Sequence, residues 1–192
     1  MGTHKFNVNN KSKLDSENRR KILPPEETLL SFGLHEGDTM ADIGCGIGYF
    51  TIPAAEIVSD IGKIFAMDIS PEMLKEVQMK MEKNNIINIE TVLTEENDLK
   101  IENHKVSIAF ISFVLHEAEH REKFLKEVKR IISPKGRITI IEWKKSDSEF
   151  GPPLDHRLDE VVSVELLSNA GFINISSINI NENFYALIGE MN

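Results

Sequence analysis

The segment Asp42-Ile43-Gly44-Cys45-Gly46-Ile47-Gly48 lies between an apolar run and a stretch with helical spacing. A strand that turns through alternating glycines into a helix exposes backbone N–H groups to a close ligand. Asp68, at the end of the next apolar run, stands where a neighbouring strand tip can present a carboxylate to the two hydroxyls of a ribose. A dinucleotide fingerprint of the G-x-G-x-x-G type needs its third glycine at position 49, which is Tyr49. The pattern here is D-x-G-x-G-x-G instead. It fits a strand–turn–helix unit whose loop either receives a ligand such as a nucleoside or is simply a tight turn.

The rest of the chain repeats that unit. Pro24-Pro25 with Glu26-Glu27 starts a helix that Gly33 stops. Strands are predicted at 39–43, 63–69, 87–93, 106–113 and 137–143, with helices between them. Ser70-Pro71-Glu72 is a cap, a first-turn proline and a first-turn acid, and Met73, Leu74, Val77 and Met81 follow at helical spacing. Phe124, Leu125, Val128 and Ile132 form another stripe, closed by Ser133-Pro134-Lys135-Gly136. A last helix through Val161, Val164, Leu166 and Leu167 ends at Ala170-Gly171, and runs at 172–180 and 184–188 read as a closing hairpin. Strands alternating with helices imply a parallel sheet covered on both faces with right-handed crossovers.

Composition narrows the partners. The chain has 192 residues and a net charge of −9, and Cys45 is its only cysteine, so an internal disulfide framework and a cysteine zinc site are excluded. Six basic residues against Asp15 and Glu17 give residues 1–21 a charge of +4, leaving −13 on the remainder. An acidic body argues against a nucleic-acid surface. No apolar run approaches the roughly 18–20 residues of a membrane span, and no leader-like apolar stretch opens the chain. The expectation is a cytoplasmic monomer or homodimer without a membrane partner. Residues 1–23 read as a basic arm, either a solvated tail or a flap over the active site, with Phe6 and Leu14 to bury; residues 24–192 read as a single domain.

D-x-G-x-G-x-G resembles the first motif of class I S-adenosylmethionine-dependent methyltransferases. Leu125, Arg130, Ile132, Pro134 and Gly136 resemble a second family segment before the fifth strand. The element order is similar along nearly the whole chain. The resemblance implies an α/β fold: a Rossmann-like, doubly wound, seven-stranded sheet, mostly parallel with one antiparallel strand in a C-terminal hairpin. It implies S-adenosyl-L-methionine as cofactor and S-adenosyl-L-homocysteine as product, and it makes 24–192 the methyltransferase domain.

Carried over residue by residue, the resemblance suggests that Gly44, Cys45, Gly46 and Gly48 line the methionine portion and ribose. Cys45 itself reads as a small packing residue rather than a nucleophile. Asp42 either holds the loop or reaches the cofactor's ammonium through water. Asp68 takes the ribose, while Ile69 and Met73 pack on adenine or belong to the core. Glu95 and Glu96 replace the family's usual Asp-Ala pair beside adenine. Ser112, past strand four, stands next to the cofactor. His116 is the candidate catalytic base, with a structural histidine as the competing reading, and Glu117 lies beside it. Trp143, Lys144, Lys145, Asp155, His156 and Arg157 are candidates to shape the acceptor pocket.

Absences narrow the acceptor further. Ile111-Ser112-Phe113-Val114 occupies the place of the Asp/Asn-Pro-Pro-aromatic turn of amino-directed nucleic-acid enzymes. Glu142 alone is insufficient for the magnesium of catechol-type enzymes, and no metal site is expected. A small-molecule methyl acceptor is the reading that remains. A protein or RNA methyltransferase, or a non-catalytic cofactor-binding domain, stays open as the alternative.

Overall fold

The computed structural model describes residues 14–146, 148 and 151–192. Most of the basic arm, including Phe6, lies outside the described residues. Seven strands form a mixed sheet in the order β3-β2-β1-β4-β5-β7-β6, and the chain divides after Glu95 into two compact units.

In the first unit, α1 (Glu17–Ile22) and α2 (Pro25–Ser31) precede β1 (Thr39–Ile43), α3 (Thr51–Val58), β2 (Lys63–Asp68), α4 (Pro71–Asn84) and β3 (Ile89–Leu93). Strand β2 pairs in parallel with β1 and with β3. Local signals set the boundaries. The Ser70 hydroxyl accepts from Met73 N, Pro71 opens α4 where its missing N–H costs nothing, and Asn85 ends it in a left-handed conformation. Pro53 sits in the first turn of α3 for the same reason. Met40, Ala54, Val58, Ile64, Met67 and Val77 are all within 1% of full burial. The third strand begins two residues later than its apolar run suggests, because Ile87 is left 82% exposed.

The second unit holds β4 (Val106–Ser112), a 3₁₀ turn (Leu115–Glu117), α5 (Arg121–Ile131), β5 (Ile132–Trp143), α6 (Glu160–Ala170), β6 (Ile173–Asn179) and β7 (Phe184–Glu190). Helix α5 buries Phe124, Leu125, Val128 and Ile131 on one face; each such side chain contributes about 1.5–3 kcal/mol relative to exposure. Strand β5 runs parallel to β4, while β7 is antiparallel to both β5 and β6, making it the single reversed strand.

One expectation needs correction here. Ser133-Pro134-Lys135-Gly136 is not a break between helix and strand but a bulge inside β5. Val106 pairs with Ile132 and Ile108 with Arg137, so the intervening residues loop out of the ladder. The Ser133 hydroxyl donates to Val106 O (2.9 Å) and anchors the start of the bulge. A Cβ on Gly136 would lie 2.7 Å from Ser107 O, which explains glycine at that position.

Candidate active site

At the tip of β1 the three glycines all take positive φ: 73° at Gly44, 53° at Gly46 and 81° at Gly48. Those values are cheap only for glycine. The amides of Gly44 and Cys45 both donate to Met67 O, at 2.8 and 2.9 Å, which ties the loop to the end of β2. Gly46 N instead donates to Asp68 Oδ2 (2.9 Å), and Ser70 N donates to Asp68 Oδ1 (2.9 Å). Asp68 is 9% exposed. Burial pushes its carboxyl above the usual range, against the lowering effect of these amides. One carboxylate therefore joins the glycine turn to the start of α4 and keeps a further lone pair on each oxygen.

Asp42, 2% exposed, accepts from Thr51 Oγ1 at 2.5 Å. Burial raises its carboxyl to about 7; the Thr51 hydrogen bond opposes this, the charge of Asp68 adds to it, and Arg19 opposes it. Cys45 is buried, and burial together with Asp42 and Asp68 pushes its thiol well up, as suits a packing residue. Met73 is buried on α4, whereas Ile69 and Leu93, just past β2 and at the end of β3, remain half exposed. Glu95 is exposed at the end of the first unit.

The described end of the arm lies against this loop. A Cβ on Gly46 would meet Leu14 Cδ1 at 3.4 Å, and the Arg19 guanidinium sits 4.4 Å over the Tyr49 ring. Tyr49 OH donates to Leu23 O (2.7 Å), and Lys80 Nζ on α4 donates to Ile47 O (2.7 Å). Lys80 carried no signal in the sequence, because its partner is a backbone carbonyl 33 residues away.

In the second unit, Glu96 Oε1 accepts from His120 N (2.9 Å) and so satisfies a free amide at the start of α5. Ser112 ends β4 with its Oγ buried and, among the described residues, without a hydrogen-bond partner. Phe113 follows at φ 61°, a strained value for an aromatic residue. Its ring packs against Trp143 (5.2 Å) and Phe184 (5.0 Å). His116 is 8% exposed and Glu142, on β5, is fully buried. His116 Nδ1 lies 2.8 Å from Glu142 Oε2, and His116 N donates to Glu142 Oε1 at 3.1 Å. Burial acts to lower the imidazole's pKa, but the hydrogen bond and charge of Glu142, with Glu117, outweigh it and the net shift is upward. Glu142 went unread as a partner of His116, since 26 residues separate them.

Arg157 serves the scaffold. It is 5% exposed and donates to Pro152 O, Lys144 O, Ser146 O and Ser148 Oγ, stitching together the segment after β5. Among the described residues, no group of three or more His, Cys, Asp or Glu side chains could hold a metal ion, and no helix is long and apolar enough to cross a membrane.

Residues 26–155 match the model of the ubiE/COQ5 methyltransferase family. The chain belongs to that family. It is 29% identical over 132 residues to the ubiquinone/menaquinone biosynthesis C-methyltransferase UbiE of Salmonella arizonae, a match over 61% of this chain and 53% of that protein. The ubiE/COQ5 chain thus spans about half the length of the curated relatives it matches. A crystal structure of an S-adenosylmethionine-dependent methyltransferase from Aquifex aeolicus superimposes with a TM-score of 0.93 at 30% identity, covering 98% of this chain and all of that one. Phosphoethanolamine N-methyltransferase 2 of Haemonchus contortus, solved with S-adenosyl-L-methionine, gives 0.74 at 14% identity over 89% of this chain and 52% of that one, a likeness of fold alone. The mixed sheet with one reversed strand, which the family resemblance implied, is the fold of these methyltransferases.

Proposed function

We propose that this chain transfers a methyl group from S-adenosyl-L-methionine to a small-molecule acceptor, acting in the cytoplasm as a monomer or homodimer. The observation that carries the reading is the Asp68 carboxylate, which joins the amides of Gly46 and Ser70 while keeping acceptor capacity for a diol. In this reading the loop through Gly44, Cys45, Gly46 and Gly48 lies along the methionine portion and ribose, Asp68 binds the ribose, and Asp42 stands toward the ammonium. Half-exposed Ile69 and buried Met73 would pack on adenine, and Glu95 and Glu96 are the acids assigned to it. Ser112 supplies a buried hydroxyl in want of a partner.

When bound, the cofactor supplies an electrophilic methyl on a sulfonium whose departure leaves a neutral thioether. The protein's work is then alignment and exclusion of water. The name of the UbiE relative makes a carbon nucleophile the first acceptor class to test. Calorimetry with S-adenosylhomocysteine tests the cofactor assignment directly: saturable binding is expected, and no heat from folded protein would overturn it. Transfer of isotopically labelled methyl to acceptor pools then tests the reaction.

A further inference from the structure

Strand β6 ends the sheet, pairing antiparallel with β7 on one side. Among the described residues, no strand pairs with its other side. All of its residues are exposed except half-buried Ile175. Ile173 and Ile178, 40% and 38% exposed, share a face, since they stand opposite Glu190 and Ala186 of β7. An open edge of this kind offers backbone donors and acceptors to a further strand, and folded chains ordinarily guard it with charge, proline or a bulge. At the other end of the sheet, β3 carries Glu90, which accepts from Lys63 Nζ at 2.5 Å. Strand β6 has no charge of its own: residues 166–181 are the longest run without Asp, Glu, Lys or Arg in a chain of net charge −9. A bulge with Asn174 at φ 50° interrupts only its start, between Ile173 and Ser176, and residues 176–179 form a regular ladder. Opposite charges are tied to its two ends. Asn174 Nδ2 donates to Glu190 Oε2, and Lys144 Nζ donates to Asn179 Oδ1, both at 2.7 Å.

We propose that β6 is a dimer interface, where a second copy of this chain pairs its own β6 antiparallel across a twofold axis. Such pairing sets the backbone donors of each copy against the acceptors of the other, so the edge complements itself. The charges at its ends fix the orientation. Antiparallel pairing brings the Glu190 end of one copy to the Lys144 end of the other at both corners, whereas parallel pairing sets like charge beside like. Two bodies of net charge −9 repel, and an uncharged strip is where they meet at least cost. A charged partner finds nothing there to hold. The contact uses up the open edge of each copy, and the charge on β3 guards the remaining one, so assembly stops at two. The proposal selects the homodimer from the two assembly states of the functional reading, and it is independent of the chemistry assigned to the site.

The test is sedimentation equilibrium of the full chain over a range of concentrations, without cofactor. The expected result is a reversible shift from the mass of one chain to the mass of two, and no further. Ile178→Lys sets like charges across the axis and should weaken association at least about tenfold. Ile87→Lys, at an 82% exposed position before β3, should leave it unchanged. Circular dichroism and the denaturant midpoint check that both variants fold. Two further readings use the edge itself. Amide exchange of residues 176–179 should slow as concentration rises. A short thiol cross-linker should join Ser177→Cys to its own copy near the axis and should fail to join Ile173→Cys, which antiparallel pairing carries to opposite ends. A wild type that stays single up to about 1 mM, a dimer that Ile178→Lys leaves intact, open-ended assembly, or equal cross-linking at 173 and 177 overturns the proposal. So does a chain that pairs only after removal of residues 1–13, which would show that this segment takes the edge. Each of these outcomes leaves the cofactor assignment untouched, since that assignment is read from S-adenosylhomocysteine binding alone.

Discussion

Asp68 in the first unit and Glu142 in the second are both acids at strand ends, and both are buried. Their partners differ. Asp68 accepts from two backbone amides, one two residues away and the other 22. Glu142 accepts from an imidazole 26 residues away. Fixed amides do not titrate near neutral pH, so they hold a carboxylate ready to receive a ligand's hydroxyls. An imidazole does titrate there, and its pairing with a carboxylate sets up proton movement. On the proposed reading, the same side-chain chemistry serves a ligand in one unit, while in the other it is paired with a titratable ring.

The largest effect that separates the two regions comes from Asp42. Its carboxyl, near 3.8 when unfolded and about 7 in the fold, holds a proton more tightly when folded. Stability is therefore unaffected below pH 4, falls as pH rises toward 7 and is level above it. The full loss is roughly 4 kcal/mol. Asp42→Asn should remove that fall, so denaturant unfolding at pH 4 and pH 8 should favour the variant only at the higher value. The pair in the second unit has another window. The imidazole's folded pKa is raised, so its contribution is complete below about 6.5 and is lost as pH rises through the folded value. A variant at 42 that left the fall between pH 4 and 7 intact would break this division.

Asp68→Ala comes next. It leaves Gly46 N and Ser70 N without their acceptor, at about 1–3 kcal/mol of stability, and, on the proposed reading, removes the carboxylate that takes the ribose. Affinity for S-adenosylhomocysteine should fall at least tenfold, since a hydrogen bond to a charged group contributes roughly 1.5–3 kcal/mol. Unchanged affinity on calorimetry would strip the first region of its receptor role.

The two regions also differ in how far the sequence reveals them. The glycine turn, the Ser70 cap and the apolar runs of β1 and β2 are local, and each is legible because its cause lies within a few residues. The turn after β4 gives no such sign. Phe113 takes a left-handed φ that glycine would advertise, and Glu142 gains meaning only when the sheet brings it to His116. The β5 bulge is illegible for a similar reason: Pro134 and Gly136 mark an interruption, but only pairing with β4 shows that the strand resumes. Arg157, a candidate for the acceptor pocket, is spent on four loop acceptors that no spacing encodes.

Gly48→Ala sharpens the contrast at the level of backbone. At φ 81° an alanine costs about 1–2 kcal/mol, and its Cβ would also press on Val77 Cγ2 at 3.3 Å. A loss of that size in denaturant unfolding is expected. A neutral substitution would show that the loop relaxes freely and that its glycines are not holding a shape.

The smallest effects belong to α1, which covers the glycine loop without burying any of its own residues. Its attachments are polar: Arg19 over the Tyr49 ring, the Tyr49 hydroxyl on Leu23 O, and the Arg20–Asp15 ion pair on the surface. Tyr49→Phe removes a buried hydrogen bond and should cost about 1 kcal/mol. Arg20 is more than half exposed, and exposed pairs contribute roughly 0–1 kcal/mol. Arg20→Ala should therefore change stability by less than about 0.5 kcal/mol, with the difference vanishing at high salt. An Arg20→Ala loss equal to that of Gly48→Ala, persisting in salt, would mean that the helix is as integral to the first unit as the loop beneath it. A null result leaves the loop's shape to its glycines and to Asp68.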